Sequence, residues 1–288
     1  MPSSAIKVFG EVLFDCLPDG QDILGGAPFN VAWNLSGLGV DVEFISAVGN
    51  DSRGDTIREA MQDWGMGIES VQINGQSTGV VNVSFKDGHP EYEIAHPVAW
   101  DRIDVPPSGF SPSQWLYLGS LAYRDPHNHS AVESLVEAEG SRRFVDINIR
   151  HPWFDERWLN KLIHRADVVK VSEGELSEVM GGARVESDDQ IFEAAEAFQG
   201  RFQIGRVLVT AGSQGAFVIE EGRHRVEAMI AEPIVDTVGA GDAFSSATLL
   251  GLLSGAPLAV AARPAAKFAA RVCGLAGATT HDRDFYHL

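Results

Sequence analysis

Apolar and polar positions along this chain change their period several times, and each change marks an element. Ile6-Lys7-Val8-Phe9 opens as a strand and is interrupted at Gly10-Glu11. Asp15 closes the apolar run that follows, and residues 18–25 read as a loop. Ala27, Val31, Leu35 and Leu38 recur at helical spacing, which predicts a helix over 28–39. Residues 42–48 read as a strand and 56–64 as a helix ended by Gly65. The period then falls to two. Val81, Val83 and Phe85 alternate with Asn82 and Ser84, Lys86-Asp87-Gly88 is a turn signal, and Tyr92 and Ile94 alternate with Glu91 and Glu93. That pattern predicts a half-exposed antiparallel ribbon.

From Trp115 onward, strand and helix patterns alternate. Strands are expected at 115–118, 143–149, 168–171 and 207–210, and helices at 129–139, 156–164, 175–180 and 190–198. Short strands follow at 215–220 and 224–228, and two last helices start near Gly241 and Leu258. Such alternation implies a parallel sheet with helices on both faces. Residues 243–262 carry no charge and are about long enough to cross a bilayer. Ser254-Gly255-Ala256-Pro257 breaks them, so two buried helices with a turn between are expected instead.

The 288 residues suffice for one large α/β domain with a small appendage. Forty acids against 22 bases give a net charge of −18, which argues against nucleic acid or an anionic membrane as partner. Cys16 and Cys273 belong to no metal-binding spacing and read as reduced thiols. Met1-Pro2-Ser3-Ser4 has no basic region followed by an apolar core, so no signal peptide and a cytoplasmic location are expected. There is no Gly-Lys-Ser/Thr loop and no His-Glu-x-x-His.

The densest chemistry lies in Asp236-Thr237-Val238-Gly239-Ala240-Gly241-Asp242-Ala243-Phe244. Two glycines ahead of an uncharged helical run suit a helix N-terminus facing an anion. Asp242 would repel a phosphate, but it suits the removal of a proton from a hydroxyl that attacks one. An acidic first turn on an ordinary helix is the alternative. A second stretch, Gly25-Gly26-Ala27-Pro28-Phe29-Asn30-Val31-Ala32, leads into Gly39 and Gly49. Asp146-Ile147-Asn148-Ile149-Arg150 ends an expected strand, whose alternation would put Asp146, Asn148 and Arg150 on one side.

Together, the two glycine-rich stretches resemble the two signatures of the PfkB (ribokinase-like) family of sugar and nucleoside kinases, over nearly the whole chain. The resemblance implies a three-layer α/β/α sandwich over 1–288 with a mainly parallel central sheet. It also implies a small β lid, formed by about 11–24 and 79–100, through which many members pair as homodimers. The implied reaction is ATP-dependent phosphorylation of a sugar hydroxyl. Asp242 would be the base, and the amides of Gly239, Ala240 and Gly241 would hold the phosphoryl group. Asp15, Gly25, Gly26, Asn30 and Arg150 would bind the sugar.

Lys170-Val171-Ser172-Glu173-Gly174-Glu175 falls where the family has Asn-x-x-Glu, tied to magnesium and phosphate, with Ser172 in place of the Asn. The resemblance thus assigns Lys170, Ser172 and Glu175 to ATP, with Glu175 reaching Mg2+ through water. It assigns Thr210, Gly212 and Gly215 to a nucleotide loop, Lys267 to the adenine pocket, and carbonyls to a monovalent cation such as K+. The Gly-Gly-Ala-Pro-x-Asn motif and the Asp-x-Asn-x-Arg strand are similar to those of fructokinases, which favours D-fructose. A 2-keto-3-deoxygluconate kinase is the nearest rival, although its usual Tyr-x-Arg near the lid is missing, since Glu93 and Ile94 follow Tyr92. A non-catalytic sugar- or nucleotide-sensing module is the rival of another class.

Overall fold

The computed structural model describes residues 4–86, 89–106, 109–137, 141–182, 187–230 and 233–287. Its centre is a nine-stranded sheet. Seven strands run parallel: β1 (Ile6–Phe9), β4 (Val42–Gly49), β5 (Val71–Asn74), β8 (Trp115–Gly119), β9 (Arg142–Asp146), β10 (Val168–Ser172) and β11 (Arg206–Thr210). β12 (Ala216–Glu220) and β13 (Gly222–Val226) extend it as an antiparallel edge. The order is β13-β12-β11-β10-β9-β8-β1-β4-β5, so the chain reverses its direction of travel between β1 and β8.

Neighbouring residues on each strand point to opposite faces, which builds a core on either side. Ile6, Val8, Trp115 and Tyr117 join one cluster with residues of α1 (Ala27–Gly37), α2 (Ser52–Trp64), α7 (Ala240–Leu253) and α8 (Leu258–Val272). Phe9, Leu116 and Leu118 join the other, with residues of α3 (His127–Glu137), α4 (Glu156–Ile163), α5 (Glu173–Val179) and α6 (Asp188–Phe202). The result is the expected three-layer sandwich. The buried Lys7 amine on β1 is paired with Glu43 on β4, which offsets the cost of a charge inside the sheet.

A second sheet of four strands stands apart, in the order β3-β2-β6-β7. It comprises β2 (Leu13–Cys16), β3 (Asp22–Gly25), β6 (Gly79–Lys86) and β7 (His89–Ile94). β2 pairs antiparallel with β3 and parallel with β6, and β6 pairs antiparallel with β7. The ribbon was expected. The strand at Asp22–Gly25, inside the expected loop 18–25, was not. Asp87 and Gly88 of the expected turn lie outside the described residues, as does the side chain of Phe85. In register, Asp15 sits beside Ile23 and Val81, Val81 opposite Ile94, and Val83 opposite Tyr92. These residues share one face of the small sheet.

The helices start and stop where local chemistry allows. α2 begins at Ser52, earlier than its apolar spacing suggests, because the Asp51 carboxylate caps the Gly54 N–H at 2.9 Å. β9 is shorter than expected. It ends at Asp146, and Asn148 turns into the left-handed region at φ 45°. Strand alternation therefore stops before Asn148 and does not carry Arg150 to the side of Asp146. The break in the uncharged run 243–262 falls between α7 and α8, and no helix among the described residues is long and apolar enough to cross a membrane.

Candidate active site

Two helix N-termini meet above the carboxyl ends of the parallel strands. α1 is entered through Gly26, whose φ of 114° suits glycine, and where a side chain would lie 2.7 Å from the Glu11 carbonyl oxygen. Pro28 fills the first turn, where a missing N–H costs nothing. α7 is entered through Gly239, at φ 78°, packed so closely on Ala278 that a side chain would collide with it. Ala240 N–H turns back to Thr237 O at 3.3 Å, and Ala243 N–H to Gly239 O at 2.8 Å. The N–H groups of Gly241 and Asp242 have no intrahelical acceptor, which leaves a partly positive end for an anion.

The two helices are joined at their first turns. Asn30 Nδ2 donates to Asp242 Oδ2 at 2.9 Å, while Asn30 Oδ1 is buried without a partner among the described residues. Burial pushes the Asp242 carboxyl up to about 6. The Asn30 hydrogen bond opposes this, Asp146 adds to it, and Lys170 and Arg150 pull it back. A carboxyl so placed carries a proton more readily than an ordinary aspartate, yet is largely ionised at neutral pH.

Beneath Asp242 lies a buried polar network. Lys170 Nζ donates to Asp146 Oδ2 at 2.7 Å, and Ser245 Oγ and the Tyr117 hydroxyl donate to the same oxygen at 3.0 and 3.3 Å. Burial works against the Lys170 charge, but Asp146, Glu175 and Asp242 outweigh it and hold the amine above its usual value. A side chain at Gly241 would come within 3.4 Å of Lys170 Nζ, so that cation lies directly under the first turn of α7.

Glu175 is fully engaged. Its Oε1 accepts from Ile149 N–H at 2.6 Å, and its Oε2 accepts from Ser172 N–H and Oγ at 2.8 Å. Ser172 and Glu175 form a reciprocal capping box at the start of α5. Among the described residues no group of three or more carboxylates, histidines or cysteines is arranged around one point. Direct ligation of a magnesium ion by Glu175 does not fit these bonds.

Asp15 hangs over the Gly25–Gly26 turn, since a side chain at Gly25 would meet its Oδ2 at 3.4 Å. Burial raises the Asp15 pKa and Arg150 lowers it. Arg150 is exposed, but its charge also acts on Glu11 and Asp242. It thus faces this cluster from the loop after β9 rather than from a strand. Thr210 ends β11, and Gly212 opens the turn Gly212–Gln214. A side chain at Gly215, at φ 96°, would strike the Val226 carbonyl oxygen at 2.1 Å, so backbone conformation and the packing of β13 both require glycine there. Lys267 stands exposed on α8 and takes no part in the network.

Residues 17–284 match the family model described as pfkB family carbohydrate kinase. The chain belongs to the pfkB family. The kinase is 33% identical to a fructokinase of Klebsiella pneumoniae, with 95% of this chain and 93% of that protein aligned. Its fold is similar to that of aminoimidazole riboside kinase from Salmonella enterica, complexed with aminoimidazole riboside and an ATP analog. The TM-score is 0.79 at 25% identity, covering 95% of this chain and 94% of the other. It is equally similar to a fructokinase from Vibrio cholerae O395 bound to fructose, ADP and calcium ion, with TM-score 0.78, 26% identity and 98% of both chains covered. The ribokinase-like fold and the activity class, an ATP-dependent sugar kinase, follow from these findings.

One group near the centre of this pfkB kinase is absent from the residues that sequence reasoning assembled. Glu11, read there only as an interruption after β1, is 3% exposed, and its Oε2 has no hydrogen-bond partner among the described residues. A Gly-Glu pair at a strand end gives no hint that its acid turns inward.

Proposed function

We propose that this kinase phosphorylates D-fructose, with Asp242 as the general base. The hydrogen bond between Asn30 and Asp242 carries the reading, because it brings the sugar-side helix and the phosphate-side helix to one point. A sugar held by Asp15, the Gly25–Gly26 turn and Asn30 presents a hydroxyl to Asp242. The carboxylate takes its proton as the oxygen attacks the terminal phosphoryl of ATP, and the bond from that phosphorus to the bridging oxygen breaks to release ADP. The Gly239 and Gly241 amides and the end of α7 receive the developing charge, and the Ala240 N–H joins them only by giving up its 3.3 Å bond to Thr237 O. Lys170 lies close enough to Gly241 to add its charge to the same place.

Thr210 and Gly212 would border the phosphates, and Lys267 the base. Magnesium would arrive with the nucleotide, held by its phosphates; the bonds made by Glu175 leave at most a contact through water. The loops around Asp236 and Gly277, tied by a 3.3 Å hydrogen bond, offer carbonyls for a monovalent cation such as K+. The small sheet acts as a lid and as the face of a homodimer. Tyr92 is 65% exposed and Ile23 39%, on the face that also carries Val81, Val83 and Ile94, so apolar surface there lacks cover within one chain.

Fructose is favoured by the fructokinase of Klebsiella pneumoniae and by the bound sugar of the Vibrio cholerae structure. Turnover with ATP and a panel of fructose, ribose, 2-keto-3-deoxygluconate and aminoimidazole riboside tests the choice. Fructose should show the highest kcat/KM; a higher value for any other acceptor replaces it.

A further inference from the structure

Glu11 sits where the strand order reverses. β1 ends just before it, β8 ends at Gly119 beside it, and from this pair the chain winds in opposite directions. Open α/β sheets bind ligands in the crevice at the carboxyl ends of strands at such a point. A side chain at Gly119 would meet Pro28 Cγ at 3.1 Å and Glu11 Oε2 at 3.9 Å, so the acid and the first turn of α1 both lie over the end of β8. The Glu11 carbonyl packs under Gly26, the turn that Asp15 overhangs. Asp242, Arg150 and Arg124 are the charged groups that act on the Glu11 carboxyl.

The acid is poorly provided for. Among the described residues no group bonds its Oε2, although the residue is 3% exposed. Arg124 does not bond it: Nε and Nη2 donate to both Asp101 oxygens at 2.8 and 2.9 Å and Nη2 to Ala95 O at 2.6 Å, and its Nη1 is likewise buried without a partner among the described residues. Its guanidinium is also held between the rings of Trp100 and Trp153, at 4.1 and 4.4 Å. A buried carboxyl without a partner destabilises a fold, and an apolar side chain of similar size would pack there at no such cost. Asn30 Oδ1, on the helix that starts beyond Gly26, is left open in the same way.

We propose that Glu11 is a sugar-binding residue, whose free Oε2 hydrogen-bonds one hydroxyl of the substrate at the crevice between β1 and β8. This rests on the sugar-kinase activity, not on the choice of fructose. Burial pushes the carboxyl up to about 7, against the pull of its own backbone N–H and of Arg150. Near neutral pH it therefore exists in both forms, and it can donate to the hydroxyl oxygen or accept from the hydroxyl proton. Asp15 and Asn30 would hold the sugar from the lid side and the helix side, with Glu11 holding it from the sheet.

The test uses the full chain and whichever sugar the wild-type enzyme turns over best, so that the sugar's identity is decided separately from the role of Glu11. KM is measured for that sugar and for its single-deoxy analogues, with wild type, Glu11→Ala and Glu11→Gln. Glu11→Ala should raise the sugar KM about tenfold or more and leave the ATP KM within about twofold. For one deoxy analogue, the one lacking the bonded hydroxyl, Glu11→Ala should cause no further loss. If every analogue loses the same factor in the variant as in wild type, Glu11 does not touch the sugar. Should Glu11→Ala fail to fold, Glu11→Leu, apolar and of similar size, carries the same comparison, and a sugar KM that this change leaves untouched for all analogues overturns the proposal.

Discussion

Asn30 and Asp242 lie 212 positions apart and are joined by a 2.9 Å hydrogen bond between the first turns of α1 and α7. The amide does more than position the carboxylate. It stabilises the ionised form, against burial and the nearby charge of Asp146. Asp242→Asn should keep the shape of the site and lose the proton acceptor. Turnover should fall by roughly a hundred- to ten-thousand-fold, with ATP affinity within a few-fold of wild type. A variant that keeps more than about a tenth of the rate removes Asp242 from the base role.

The pH profile should carry the same signature. Asp242 stands at about 6, so kcat/KM for the sugar should rise with pH through about 6 and level off above it. The Asn30 bond lowers this pKa, so Asn30→Ala should move the acid limb to higher pH. Initial rates between about pH 5 and 8.5 decide the matter, and a limb that stays in place in Asn30→Ala contradicts the coupling.

Asp15→Ala should raise the sugar KM much more than the ATP KM. The loss of a hydrogen bond to a charged group corresponds to about 1.5–3 kcal/mol. Unchanged sugar kinetics would leave Asp15 with no more than a place in β2.

Glu11 makes a prediction about stability that is independent of its proposed contact with sugar. Its folded-state pKa of about 7 lies above the ordinary 4.5, so the proton is bound more tightly in the folded chain. The stability this confers is present below about pH 4.5 and is lost as pH rises through about 7. Glu11→Gln should therefore melt at a higher temperature than wild type at pH 8, by an amount equivalent to at most about 3 kcal/mol. The difference should vanish near pH 4.5. Thermal melts at the two pH values measure it, and an equal shift at both would mean that the carboxyl is not held in its neutral form.

The small sheet should respond to ligand and to association. Amide exchange over 79–94 should slow when sugar binds, since a closed lid protects strands that are marginal by themselves. Val83→Asp, on the face shared by Val81, Ile94 and Tyr92, should weaken both self-association and sugar affinity. Sedimentation of the wild type as a monomer at micromolar concentration would eliminate the dimer, and exchange indifferent to sugar would eliminate the lid.

Much of this arrangement was legible in the residues. Gly239-Ala240-Gly241-Asp242 and Gly25-Gly26 announce helix entries through their spacing, because few sequences need glycine and acid there. The hydrophobic period located most of the parallel strands. It overran β9, because Asn148 leaves the strand with a positive φ that alternation cannot foresee. It missed β3, since Asp22-Ile23-Leu24-Gly25 is short, half exposed and led by an acid. Glu11 escaped notice for another reason. A lone acid after glycine resembles any turn, and its burial at 3% exposure depends on tertiary neighbours that the local sequence does not announce.

The parallel pairing of β2 with β6 also sets the order in which the chain can assemble. An antiparallel neighbour such as β3 is reached by a short turn. The parallel neighbour β6 arrives only after α1, β4, α2 and β5 have been made, and a long loop must close before that contact offers any return. The four-stranded sheet, the proposed lid, can thus be completed only after the residues of β1, β4 and β5 are available. Asp242 comes later still in synthesis. A chain emerging from the ribosome therefore carries every strand of the proposed lid well before it carries the residue proposed to act on the sugar.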